Sequence, residues 1–197
     1  MMAYFTRYCK KISLIFALSL CFSSLAFAGN NIAIKSADLQ QADDYYRLNA
    51  DIEIDFDKEI EEAINKGVPL NFLVEFQIVS PRKYWFDDEV VTITQNITLS
   101  YHALTRQYLV NRNKHQQSFE TLAEATQALA TLNDWKVAEK SLLEKNEVYN
   151  AALLIRLDQS KLPKAIQVDT IASEKWNLSS QKFEWTLKEP ALKEPKP

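Results

Sequence analysis

After Pro81 the chain reads Arg82-Lys83-Tyr84-Trp85-Phe86-Asp87-Asp88-Glu89, a run of aromatic rings flanked by charges of both signs. Flat apolar rings beside fixed hydrogen-bonding groups are what sugar and peptide recognition use. Arg82, Lys83, Tyr84, Trp85, Asp87 and Asp88 are therefore the candidate interaction surface. The same residues suit a structural task equally well. Trp85 and Phe86 would then close an open edge of the core, with Arg82 pairing with Asp87 or Asp88. The usual burial of tryptophan favours this second use.

The rest of the inventory points away from catalysis. Gly29 and Gly67 are the only glycines. Phosphate and dinucleotide loops need several, so that the backbone can approach the phosphate, and a Gly-x-Ser-x-Gly elbow is absent for the same reason. The two histidines, His102 and His115, are too few for a histidine-rich metal site, and neither adjoins a recognisable nucleophile motif. Asp51, Glu53 and Asp55 lie along one face of a predicted strand, and Glu59, Glu61 and Glu62 at the start of a predicted helix. A calcium cage needs oxygens converging in one tight loop, so these acids read as a solvated face. No catalytic residue, metal ligand or cofactor is expected, and the chain reads as a non-enzyme.

Periodicity supplies the elements that hold the connection in place. A polar lead-in over residues 29–45 is followed by a strand from Tyr46, with Leu48, Ala50, Ile52, Ile54 and Phe56 on one side. Asp57 is placed to cap a helix through Lys66, whose dry stripe is Ile60, Ala63 and Ile64. Gly67 can take the left-handed conformation that ends the helix, and Pro69 prevents it from resuming. Leu70, Phe72, Val74, Phe76 and Ile78 then alternate as a half-buried strand until Pro81, which has no N–H for a ladder. Val91, Ile93, Ile97 and Leu99 make the next strand, and residues 106–111 another, so residues 70–111 form an antiparallel meander. Residues 112–117 read as a polar loop.

Thr121 with Glu124 is a capping box before a second helix, which carries Leu122, Ala125, Leu129 and Leu132 and ends at Asn133-Asp134. Strands follow from Trp135, over residues 148–157, and over about residues 181–187, the middle one apolar enough to be covered on both faces. The repeated Lys-Glu-Pro in residues 188–197 predicts a disordered tail. The fold class is α+β and mainly antiparallel β, a single domain over 46–187 of about seven strands, with two amphipathic helices on a sheet or at the mouth of a sandwich.

Residues 1–28 have the form of an export signal. Arg7, Lys10 and Lys11 precede an apolar run from Ile12 to Phe22, and Ala26-Phe27-Ala28 is a small-x-small cleavage site. Leu20 before Cys21 argues against a lipoprotein signal, while a retained signal anchor is the alternative to cleavage. No later stretch is long and apolar enough to span a bilayer as a helix. Cleavage after Ala28 removes both cysteines, Cys9 and Cys21, which excludes disulfides and thiol chemistry from the exported part. It also removes basic residues and no acidic one, making the remainder more negative than the full chain's −3. A net-negative domain is unsuited to nucleic acid. The expected location is the periplasm.

Gly67-Val68-Pro69-Leu70, Arg82-Lys83-Tyr84-Trp85, Leu104-Thr105-Arg106-Gln107-Tyr108, and Leu157-Asp158 with Leu162-Pro163-Lys164 together resemble the exported proteobacterial proteins grouped as "domain of unknown function 4390". The resemblance spans roughly Tyr46 to Trp185, and the family's block tends to carry a further aromatic where Lys83 stands. It implies export and frequent gene neighbourhood with a membrane sensor kinase of the nitrogen-regulation type, and no catalytic residues. The leading expectation is an exported, non-enzymatic interaction module with a protein partner in the cell envelope. A carbohydrate or peptidoglycan binder using Tyr84 and Trp85 comes second, and an unrecognised hydrolase third. Export predicts that the protein recovered from the periplasm begins at Gly29. N-terminal sequencing that finds Met1 instead would show that the leader is kept.

Overall fold

The computed structural model describes residues 31–188 except 83, 85, 145–146 and 168–173. The expected export signal, the 189–197 part of the expected tail, Lys83 and Trp85 all lie outside the described residues. Among the described residues nine strands form two antiparallel sheets. The smaller sheet has the order β1-β2-β7, from β1 (Asn31–Ala42), β2 (Tyr45–Asp55) and β7 (Thr131–Glu139). The larger has the order β6-β5-β4-β3-β8-β9. Its strands are β3 (Leu70–Ser80), β4 (Asp88–His102), β5 (Gln107–Arg112), β6 (His115–Phe119), β8 (Val148–Leu157) and β9 (Phe183–Lys188).

The dry faces of the two sheets pack on each other. Leu70, Phe72, Val74, Phe76 and Ile78 of β3 are fully buried, as their spacing predicts. Phe76 meets Trp135 of the opposite sheet edge-on at 6.4 Å and Trp185 of β9 at 6.0 Å. Phe56 meets Phe72 at 6.3 Å. Two helices carry the chain between the sheets at one end of the sandwich: α1 (Lys58–Asn65) from β2 to β3, and α2 (Leu122–Ala130) from β6 to β7.

Both helices begin as the sequence requires. Asp57 accepts the Ile60 amide at 2.9 Å, and Thr121 and Glu124 close a reciprocal capping box. The end of α1 is a Schellman motif. Gly67 (φ +88°) donates to the Ile64 carbonyl and Val68 to that of Ala63. The end of α2 is different, because Thr131 passes straight into β7 with extended backbone and no glycine. The last carbonyls of a helix lack intrahelical partners. Here Arg112 of β5 supplies them, with Nη1 donating to Thr131 O (3.0 Å) and Nη2 to Ala128 O (3.0 Å) and Leu129 O (3.4 Å). Burial pulls the Arg112 pKa below its ordinary value.

The structure corrects several sequence readings. The polar lead-in is, from Asn31, the strand β1, paired along its length with β2. Its buried residues are Ile32 and Leu39, and a register shift between Ile34 and Ser36 interrupts the alternation that would have revealed it. The polar loop over 112–117 is a hairpin joining β5 to β6 through Asn113 and Lys114, both at positive φ as a two-residue turn of mirror-image type needs. β6 is exposed along most of its length and has no apolar side to betray it. Asn133-Asp134 does not end α2 but lies inside β7, where Asp134 (φ +51°) sits at a break in register against β2. Leu132 is thus an inward residue of β7 and not part of a helical stripe. With β1 and β6 added, the expected seven strands become nine. On the outer side of β8, Ala152 is buried but Val148 is exposed, so its double coverage is incomplete.

Replacing Arg112 with leucine keeps bulk but leaves the α2 carbonyls without donors. Urea unfolding should show a loss of about 1–3 kcal/mol. An unchanged midpoint would mean that water replaces the guanidinium at no cost.

Candidate functional site

The connection between β3 and β4 stands at the end of the sandwich opposite the helices. Pro81 stops β3, and the loop is then cinched by its own charges. The Arg82 amide donates to Asp87 Oδ1 at 3.2 Å, and the Arg82 guanidinium pairs with Asp88 at the first position of β4. The ion pair is half-exposed, so its worth lies in fixing the loop's shape more than in adding stability. Within this frame Tyr84 is 83% exposed and Phe86 95% exposed. Phe86 therefore does not cap the core, while the expected pairing of Arg82 is present. Of the candidate surface, Arg82, Tyr84, Asp87 and Asp88 are brought together on one short segment.

Asp87 also lines a cleft of about 410 Å³ on the outer face of the larger sheet, with Gln77, Asn150, Lys182, Glu184 and Thr186. Amide, hydroxyl and charged groups dominate this lining. The other candidates for chemistry are dispersed. His102 lies at the end of β4, its ring 3.0 Å from the Thr105 hydroxyl within the β4–β5 turn. His115 opens β6 and is exposed. Asp51, Glu53 and Asp55 point outward from β2, where Lys35 pairs with Glu53 at 2.5 Å. Glu59 of α1 pairs with Lys175, and this contact raises the lysine pKa. Among the described residues no group of three potential metal ligands converges.

The strings that carry the resemblance play structural parts. Gly67 closes α1, and Tyr108 donates to Asn65 of α1 at 2.6 Å while packing on Tyr101 at 4.9 Å. Burial, reinforced by Tyr101 and the charge of Glu61, raises the Tyr108 pKa. Asp158 follows β8 and caps a short turn (Gln159–Lys161). Its carboxylate accepts the Ser160 hydroxyl at 2.5 Å and the Ser160 amide at 3.2 Å, with the Lys161 ammonium at 3.3 Å. The Ser160 hydrogen bond, helped by Lys161, holds the Asp158 pKa below its ordinary value.

Sequence reasoning passed over one residue. On the inward side of β4 the series Val91, Ile93, Ile97 and Leu99 is interrupted by Gln95. An amide at an inward position of an alternating strand is the signal, and the structure buries it to 5% exposure.

The family described as "Domain of unknown function (DUF4390)" matches residues 29–186. No curated protein and no solved structure matches the chain.

The lowered Asp158 pKa means the folded state favours the carboxylate over the acid. Its contribution is therefore present above about pH 4 and is lost as pH falls through the lowered value. Asp158→Asn should melt below the wild type at pH 7, and the gap should close on acidification. A gap of constant size down to pH 2 would refute the carboxylate's role.

Proposed function

The chain belongs to the domain of unknown function 4390 family, which carries no assigned reaction, and we propose that it is an exported, non-enzymatic interaction module of the cell envelope. The observation that carries this reading is the β3–β4 connection. Two aromatic side chains, Tyr84 and Phe86, are exposed on a segment where Arg82 is tied to Asp87 and Asp88. Exposed aromatics are costly to leave in water and are enriched at binding hot spots, where a rigid ring loses little entropy on docking. Tying Arg82 to Asp87 and Asp88 lowers the ordering cost of association further. The partner is a protein of the envelope, and the periplasm is where the two meet.

A second reading rests on the neighbouring cleft. Gln77, Asn150, Thr186 and Asp87 present amide, hydroxyl and carboxylate groups that suit a glycan. In that reading Tyr84 supplies the flat face against which a sugar ring stacks.

Crosslinking in intact cells separates the two. Tyr84→Ala with Phe86→Ala should reduce capture of the envelope partner by about tenfold or more, as loss of two hot-spot residues implies, without changing the melting temperature. Capture at wild-type yield would sink the docking reading. An intrinsic fluorescence change on adding glycan fragments, abolished by Tyr84→Ala, would favour the cleft.

A further inference from the structure

β4 is longer than the strands beside it. Of its fifteen residues, those from Asp88 to Leu99 run along β3 on one side, but β5 takes up only Ile97 to His102 on the other. Among the described residues, no strand pairs with that second edge over Asp88 to Asn96. This stretch holds Val90, Val91, Thr92, Ile93 and Thr94, β-branched throughout, without the lysine or proline that commonly blunts an edge. Val91 and Ile93 are only half-buried although they face inward.

The flank beside this edge is a crevice of about 620 Å³ between the two sheets. Ile93, Gln95, Arg112, His115 and Trp135 contribute to its lining, together with the outer edge of β7 over residues 133–136. Gln95 is nineteen-twentieths buried there, yet its Oε1 has no hydrogen-bond partner among the described residues. A buried carbonyl oxygen without a donor is costly and uncommon in folded proteins. The ladder shows where a donor would come from. Arg112 stands opposite Ile97, and two residues further along the hairpin has already turned at Asn113-Lys114. Among the described residues nothing pairs at the position opposite Gln95, which leaves it open to an added strand.

We propose that Asp88–Asn96 of β4 receives an extended peptide segment of another protein as an added strand, in line with β5, with a hydrogen-bond-donor side chain opposite Gln95. The inference rests on the interaction-module reading and supplies the chemistry of the partner. Main-chain hydrogen bonds to the free edge give affinity, and the residue opposite Gln95 gives selectivity. The edge begins at Asp88, where the Tyr84 and Phe86 loop ends, so one partner segment runs from the exposed aromatics to the crevice. A second copy of this chain is disfavoured as the occupant. Antiparallel self-pairing about Ile93 sets Gln95 opposite Val91, whose side chain has no donor, and the register shift beside Glu89 turns that carboxylate to the outer face.

The test is selection of a displayed random dodecapeptide library on the purified protein, followed by an N-methyl scan of the best peptide by fluorescence anisotropy. Selected peptides should carry Ser, Thr, Asn, Gln or Lys at one fixed position in a β-branched run. Methylation of the main-chain nitrogen should weaken binding about tenfold at every second residue and little between, the period of a strand that bonds along one edge. Gln95→Leu should keep the fold and the alternating pattern but erase the preference for a donor over valine at the fixed position. Failure to select any peptide overturns the proposal, as does N-methyl sensitivity without a two-residue period or a donor preference that survives Gln95→Leu. A dimer on sedimentation that the peptides fail to dissociate overturns it in favour of self-pairing. Cellular capture that depends on Tyr84 and Phe86, with no peptide selected, removes this inference and leaves the docking loop standing.

Discussion

A six-stranded sheet with one dry face must be covered, and the sheet opposite it has only three strands. That mismatch in width governs the rest of the molecule. Phe76, at the middle of β3, is sealed by Trp135 from across the sandwich and by Trp185 from within its own sheet. At one end the helices complete the cover. Ile60 and Ile64 of α1 and Ala125 and Leu129 of α2 are fully buried. Along the β4 flank the outer edge of β7 lies opposite β4 but does not pair with it among the described residues, and there the polar crevice opens. An incomplete cover is where a protein of this architecture has apolar and backbone groups left to offer.

The need to cross between sheets explains the helix ends. α1 has room for a glycine-based stop, followed by Val68 and Pro69 before β3 begins. α2 runs directly into β7, so its carbonyls must be met from outside, and the inward-facing Arg112 meets them. One side chain thus ties the β5–β6 hairpin to the crossover and forms a wall of the crevice. The hairpin, the crossover and the flank are a single arrangement, set by how far β5 extends along β4.

The proposed surfaces lie next to one another because β3 and β4 are consecutive and antiparallel. The turn between them must project at a sheet end, and the strand it opens must outrun β5 before pairing begins. The aromatic loop and the edge that holds the buried amide follow one another within the fifteen residues from Arg82 to Asn96.

Much of this was legible in the sequence. Strict alternation made β3 readable, because a side-chain period of two fixes which face is dry before any partner is known. Asp57, Gly67, Thr121 and Glu124 declared their helix ends, since capping is a local hydrogen-bonding problem solved within a few residues. The aromatic connection after Pro81 was visible for the same local reason. Elements whose definition depends on a neighbour were not legible. β1 has a bulge that only its pairing with β2 rationalises, and β6 is polar and becomes a strand only because β5 provides a ladder. Asn133-Asp134 resembles a helix terminus in sequence and is a break within β7. The sequence alone determined the period, the caps and the residue types of the candidate surface, all properties of adjacent residues. Tertiary structure alone decided that Phe86 stands in solvent, that β4 outruns β5 and that Gln95 is buried without a donor among the described residues. Burial and edge exposure are set by what packs alongside, which no local pattern records.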